Sequence, residues 1–265
     1  MLDKTSSLRD AAAVVQPGHT LALGGMTIYR RPMAYVRALL THNPQARDLT
    51  LLCFTAGMES DLLVGAGRVK AVRSCYFGLE TFGLAPMFTE AAGRGALEII
   101  EESEVSLALG IRAALSGVGF MPSRAWIGTD MLALRPDVST VQDPYSGEQL
   151  VAFPAIQCDV AVIHALQADP SGNAVIGGNV AVDPELALLA RTTIVTAEEI
   201  VPRLDKADIP APLVDWVVST PNGARPTSCH PLYPLAGGDI MRYVDRCNAG
   251  EFEAFVAEWT EPGVA

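Results

Sequence analysis

The apolar positions of this chain alternate between two patterns. Short unbroken apolar runs fall at 20–23 (TLAL), 49–54, 69–76, 97–100, 159–165 (DVAVIHA) and 192–197. Runs of that length and continuity predict strands buried on both faces. Between them, apolar residues recur at helical spacing and predict helices over 7–15, 32–40, 61–66, 85–93, 103–117 and 184–190. Two closing helices are predicted over 239–248 and 251–259. Breakers support these boundaries: Gln16-Pro17-Gly18 ends the first helix and Pro32 suits the first turn of the second. Residues 139–144 read as extended, Ser146-Gly147-Glu148 as a hairpin turn, and 149–153 as the returning strand. Alternating strands and helices predict an α/β fold, an open and mostly parallel sheet with helices on both faces. The chain carries no repeat, low-complexity linker or charge run, so one domain spanning 1–265 is the simplest organisation.

The stretch 97–130, LEIIEESEVSLALGIRAALSGVGFMPSRAWIGTD, is the most informative. A strand end runs into Glu101, Glu102 and Glu104, and a helix of small and apolar residues follows (Val105, Leu107, Leu109, Ile111, Leu115), expected to be well buried. Ser103 is placed to cap it, which puts Glu104 at the first helical position. A carboxylate there meets the positive end of the helix dipole. In open α/β sheets, chemistry gathers where strands end and helices begin. One of the three glutamates is therefore the candidate base or nucleophile; the alternative is an ordinary acidic helix start.

A second strand–turn–helix unit stands at 20–40. The strand runs into Gly24-Gly25, whose backbone can approach a ligand closely. Arg30-Arg31 and the following helix start offer positive potential to a phosphate or carboxylate; the alternative is a plain turn with two solvated arginines. Gly65 and Gly67 lack the third glycine of the dinucleotide-binding pattern.

The bulk properties narrow the partners. The 265 residues are 49% hydrophobic and 18% charged, with a net charge of -11. A diffuse acidic balance argues against nucleic acid and against an anionic membrane surface. Five scattered cysteines with no CxxC pair point to a reducing compartment, and no leader or membrane-spanning run is evident, so a cytoplasmic location is expected. His164 sits inside an apolar strand and reads as a core residue, and no histidine and carboxylate cluster with metal-ligand spacing is visible. No GxSxG elbow is present. The stretch 167–174, QADPSGNA, is a turn by composition.

Taken in order, LALGGMTIYRRPMAYVRALL (21–40), DLTLLCFTAGMESDLLVGAGRVK (48–70), YFGLETFGLAP (76–86), 101–130, the strand and ADPSGNA turn of 143–174, TAEEIV (196–201) and GARPTSCHPLY (223–233) resemble the A (alpha) chains of family I coenzyme A transferases, nearest the glutaconate branch. The resemblance implies an open α/β sheet and a B-type (beta) partner, in a heterodimer or heterotetramer. It implies transfer of coenzyme A between carboxylic acids through a glutamyl thioester. No tightly bound cofactor is implied; the coenzyme A thioester is the substrate. In glutaconate-type enzymes the nucleophilic glutamate belongs to the B-type partner. A similar branch opens rings of steroid-derived thioesters by hydrolysis, and there the glutamate matching Glu104 is implicated. Glu104 is thus the expected catalytic residue, with Gly24, Gly25, Arg30, Arg31 and Asn173 expected around the substrate. Val105 stands where that motif more often has glycine.

Overall fold

The structure, a computed structural model, describes residues 2–261. In chain order the elements are β1 (Thr5–Ser6), α1 (Leu8–Ala13), β2 (Thr20–Leu23), α2 (Met33–His42), β3 (Leu49–Ala56), α3 (Met58–Gly65), β4 (Val69–Phe77) and α4 (Pro86–Gly93). There follow β5 (Glu98–Glu101), α5 (Glu104–Leu115), β6 (Phe120–Ser123), α6 (Met131–Leu134), β7 (Ser139–Gln142), β8 (Gln149–Pro154) and β9 (Val160–Ala168). The chain closes with β10 (Ala174–Val175), α7 (Asp183–Leu189), β11 (Thr192–Ile200), β12 (Trp216–Ser219), α8 (Gly237–Asn248) and α9 (Phe252–Thr260).

The main sheet runs β1-β12-β11-β9-β2-β3-β4-β5, with β10 added antiparallel to β9. All other neighbours in it are parallel. From β2 the chain winds outward to β5, then returns to the other side of β2 and winds outward again through β9, β11 and β12. The winding direction therefore reverses between β2 and β9, the point where open α/β sheets leave a crevice at their carboxyl ends.

Side chains alternate across β2, and each face finds its own helices. Leu21 and Leu23 pack with Val36 and Leu39 of α2, Leu62 of α3, Tyr243 of α8 and Trp259 of α9. Ala22 packs on the opposite face with Leu107 and Ile111 of α5 and Leu186 of α7. Helix α5 is not wholly buried as its composition suggested: Val105 is 48% and Leu115 41% exposed.

A separate antiparallel sheet, β6-β8-β7, encloses Trp126, Val138, Val151 and Phe153. Its β7–β8 hairpin lies where the turn residues predict it. Strand β6 has no sequence signal, because Pro122 lowers strand propensity; it is tolerated since β6 is an edge strand bonded only to β8. Strand β12 is likewise unpredicted, set in a Pro- and Gly-rich tail. Among the described residues no helix is long and apolar enough to cross a membrane.

Candidate active site

Helix α5 begins as the sequence suggests. Ser103 is extended and its hydroxyl accepts from the Ser106 amide, while the Ser106 hydroxyl accepts from the Ser103 amide at 2.8 Å, a reciprocal capping box. Trp126 Nε1 donates to the same Ser103 hydroxyl at 2.9 Å and ties the cap to the small sheet. Glu104 is the first helical residue and is exposed. The Glu104 and Val105 amides lie in the first turn, where no intrahelical acceptor exists. Val105 takes an ordinary helical position.

The three clustered glutamates divide sharply. Glu101 ends the edge strand and is exposed. Glu102 is buried, with Arg73 and Arg135 each at 2.9 Å from Oε1 and the Ser106 hydroxyl donating to Oε2. Its carboxylate is fully used in holding the α5 entry. Glu101 and Glu104 both keep an open carboxylate, and that of Glu104 stands on the capped start of α5. Nearby, burial first and then the charges of Glu102 and Glu104 push the Cys75 thiol up to about 12. That thiol is neutral at physiological pH and does not compete as a nucleophile.

The Gly24-Gly25 turn lies at the switch point, after β2. Gly25 N–H donates to both oxygens of Asp183 at 3.0 Å, and a Cβ on Gly24 would sit 2.9 Å from the same carboxylate. Arg30 Nη1 pairs with Asp183 at 2.7 Å and also donates to His164 O at 2.6 Å. Arg31 Nη2 pairs with Glu59 at 2.5 Å. Both arginine side chains are fully buried. This corrects the picture of two cations facing solvent or an external phosphate: inside this chain both are already compensated by acids. Asp183 and Glu59 carried no local signal of that role.

Asn173 is also spent internally. Its Nδ2 donates to Asp169 at 2.9 Å and its Oδ1 accepts from the Ala211 amide at 3.0 Å, which fixes the turn after β9. The fold brings Gly24, Gly25, Arg30 and Arg31 together after β2, while Glu104 opens α5 after the edge strand β5. Three inter-strand steps separate β2 from β5, a distance of about 14 Å at ordinary strand spacing.

A further polar network lies beside the crevice. His164 is fully buried; its Nδ1 meets Thr196 Oγ1 at 2.9 Å and its Nε2 meets Glu198 Oε1 at 2.8 Å. Tyr233 OH donates to Glu198 Oε1 and the Asn222 amide to Oε2 at 2.6 Å. Burial raises the Glu198 pKa, but the hydrogen bonds from His164 and Tyr233 outweigh it and hold the carboxyl below its usual range. Burial also lowers His164, against the pull of Glu198. The donor atoms of His164, Glu198 and Cys229 lie within 4.8 Å of one another. The fold thus assembles a histidine, carboxylate and thiol cluster that sequence spacing did not reveal. His164 and Glu198 are satisfied by each other, as a core histidine should be.

The coenzyme A transferase family model matches residues 5–220. The chain belongs to that family. It is 35% identical to the A (alpha) chain of glutaconate CoA-transferase from Acidaminococcus fermentans, over 97% of this chain and 88% of the relative. It is 32% identical to the IpdA component of the cholesterol ring-cleaving hydrolase of Mycobacterium tuberculosis, over 88% of this chain and 84% of the relative. In three dimensions it is similar to the decarboxylase AibA/AibB, with a TM-score of 0.90, 30% identity and coverage of 97% and 98%. One coenzyme A transferase scaffold thus carries relatives named for three different reactions, so the reaction has to be argued from the site.

Proposed function

We propose that this chain is the A-type (alpha) component of a heteromeric coenzyme A transferase. It acts on acyl-CoA thioesters of carboxylic acids, with a B-type (beta) partner completing the site. The observation that carries the reading is Glu104: a rigidly capped, exposed carboxylate at the mouth of α5, in a chain of this family. In the transfer reading a glutamate carboxylate, Glu104 or the B-type partner's glutamate as in the glutaconate-type enzymes, adds to the thioester carbonyl and expels coenzyme A thiolate, leaving a mixed anhydride. The thiolate then attacks the glutamyl carbonyl and releases the substrate's own acid, leaving a glutamyl-CoA thioester. An acceptor acid reverses the two steps. The first-turn amides of α5 are suited to an oxyanion developing beside Glu104. Gly24, Gly25, Arg30 and Arg31 shape the crevice wall through Asp183 and Glu59. Coenzyme A enters as substrate, and no other cofactor is required.

Hydrolysis is the second reading, favoured by the likeness to the ring-cleaving hydrolase component. There the same carboxylate would activate water or the substrate. The experiment is co-expression with the B-type partner, then assay of acyl-CoA with and without a free acid. Transfer predicts acid-dependent exchange and a thioester trapped by hydroxylamine or borohydride. Hydrolysis predicts turnover without acceptor. Glu104→Ala should lower either activity by at least about 10³-fold. Full activity in that variant would assign the chemistry to the partner and give this chain a supporting role.

A further inference from the structure

We propose that the outer face of α5 is the surface on which the B-type (beta) partner docks, covering Glu104 as it does so. The inference rests on the heteromeric reading above and adds the place of contact. Helix α5 uses two of its sides inside this chain. Leu107 and Ile111 pack on the main sheet. Gly110 lies against the segment after β8, so close that a Cβ there would meet Ile156 at 2.7 Å. A third side faces outward: Val105, Ala108, Arg112 and Leu115 are all exposed. Their spacing of three and four residues sets them on one stripe. The stripe is about 15 Å long at 1.5 Å per residue, and Glu104 stands at its amino end.

Exposed apolar side chains continue past both ends of the stripe. Val118 and Phe120 follow the carboxyl end of α5 into β6. At the amino end Ile127 and Leu134 are exposed beside Trp126 and Arg135, which are bonded to Ser103 and Glu102 at the α5 entry. Exposed apolar surface gathered in this way marks a protein contact. A stable interface buries about 800 Å² on each side, more than one helix stripe offers, so the contact takes in Phe120 and Leu134 as well. The neighbouring sheet edge is guarded instead. Strand β5 ends the main sheet, and its exposed Glu98 and Glu101 blunt it against an added strand. The contact therefore runs through the helix face.

Charge and position select the occupant. Arg112 is the one cation on the stripe, and among the described residues it forms no ion pair. A second copy of this chain laid antiparallel over the whole stripe would set the two Arg112 positions about 6 Å apart along the axis. Like charges at that spacing repel. Each Glu104 would also meet the apolar Leu115 end of the other helix. A different chain, apolar with a carboxylate opposite Arg112, avoids both conflicts. The chemistry points the same way. Glu104 needs a pocket and hydrogen-bond donors around it, and the crevice arginines, three strand steps away, are paired with Asp183 and Glu59. A B-type partner seated on α5 brings its own groups to Glu104.

The test co-expresses the full chain with its tagged B-type (beta) partner and measures the affinity of the assembly. Leu115→Arg and Phe120→Glu should each weaken it at least about tenfold. Leu84→Arg, equally exposed but beside α4 and α8, should leave it unchanged. A charged substitution can also disturb folding, so a second measurement reads the surface directly. Arg112→Cys is labelled with iodoacetamide in the full chain alone and in the assembly, and the labelled peptide is followed by mass spectrometry. Labelling should be at least about tenfold slower in the assembly, where water is excluded from the contact. Equal labelling in an assembly that forms, or affinity indifferent to Leu115→Arg and Phe120→Glu, overturns this proposal and leaves the transferase reading standing. An unmodified chain that binds no B-type partner overturns both.

Discussion

At the β2/β9 crevice, Arg30, Arg31, Asp183 and Glu59 are fully or almost fully buried and compensate one another; at the β5 edge, Glu104 stands exposed two residues after a carboxylate that is buried and paired. Both regions sit at the carboxyl end of the same parallel sheet. A charge taken out of water must be compensated or it destabilises the fold. The crevice charges therefore explain themselves as architecture. An open carboxylate on an already capped helix contributes little to folding, and its usefulness has to be sought in chemistry. The same contrast separates Glu102 from Glu104.

The largest effect should come from breaking the sealed region. Arg31→Met leaves Glu59 buried without its cation and should cost about 3–5 kcal/mol. The native pair is itself imperfect: Arg31 Nε and Nη1 and Glu59 Oε2 lack hydrogen-bond partners. Adding Glu59→Gln to Arg31→Met should therefore recover much of the loss. Denaturant melts of the two single variants and the double variant check this. A double variant no better than Arg31→Met would show that the pair is not what costs.

Asp61 sharpens the comparison, because it is a buried carboxylate with no cation beside it. It accepts from Tyr243 OH at 2.6 Å and from the Phe88 amide at 2.6 Å. Burial nonetheless raises its pKa from 3.8 to about 6. The folded state thus holds this proton more tightly than the unfolded state. The stabilisation is complete below about pH 3.8 and is lost as pH rises through about 6. The full swing is at most about 3 kcal/mol. Asp61→Asn should flatten that part of the stability profile; an unchanged slope between pH 4 and 6 would place the titration elsewhere.

A smaller effect tests the glycine turn. Gly25 has φ +80°, and a Cβ there would lie 2.4 Å from the Arg30 carbonyl oxygen. Gly25→Ala should cost about 2–3 kcal/mol. Gly117 has a similar φ of +67° but open space around it, so Gly117→Ala should cost only about 1 kcal/mol. Equal melting shifts would mean that backbone strain alone, not the close approach, requires glycine at position 25.

These differences also show what a sequence can disclose. The central strands of the main sheet are legible because both faces are buried, so 20–23 and 192–197 announce themselves as apolar runs, whereas β12 near its edge does not. Helix α5 and its cap are legible because Ser103, Ser106 and Glu104 act within one turn. The roles of the three glutamates are not. Glu102 is selected for burial by Arg73 and Arg135, 29 and 33 residues away, and nothing local encodes that choice. Arg30 and Arg31 look like surface cations beside a glycine turn until Asp183, on α7, and Glu59, on α3, close over them. The His164–Glu198–Tyr233 network needs β9, β11 and a loop to meet. Periodicity reports burial; it does not report which distant charge arrives.

The smallest expected effect is the one that separates the two regions most cleanly. Glu104→Gln removes a charge from the first turn of α5 but leaves the Ser103–Ser106 capping box and the buried Glu102 cluster in place. The lost helix-dipole interaction is worth about 0.3–1 kcal/mol at low ionic strength and is screened by salt. In 0.5 M salt the melting curve should therefore overlay that of the unmodified chain, while activity of the assembled enzyme is lost. A melting shift as large as that of Arg31→Met would mean that Glu104, too, is part of the scaffold. The open carboxylate would then have to be read as architecture that the B-type partner completes.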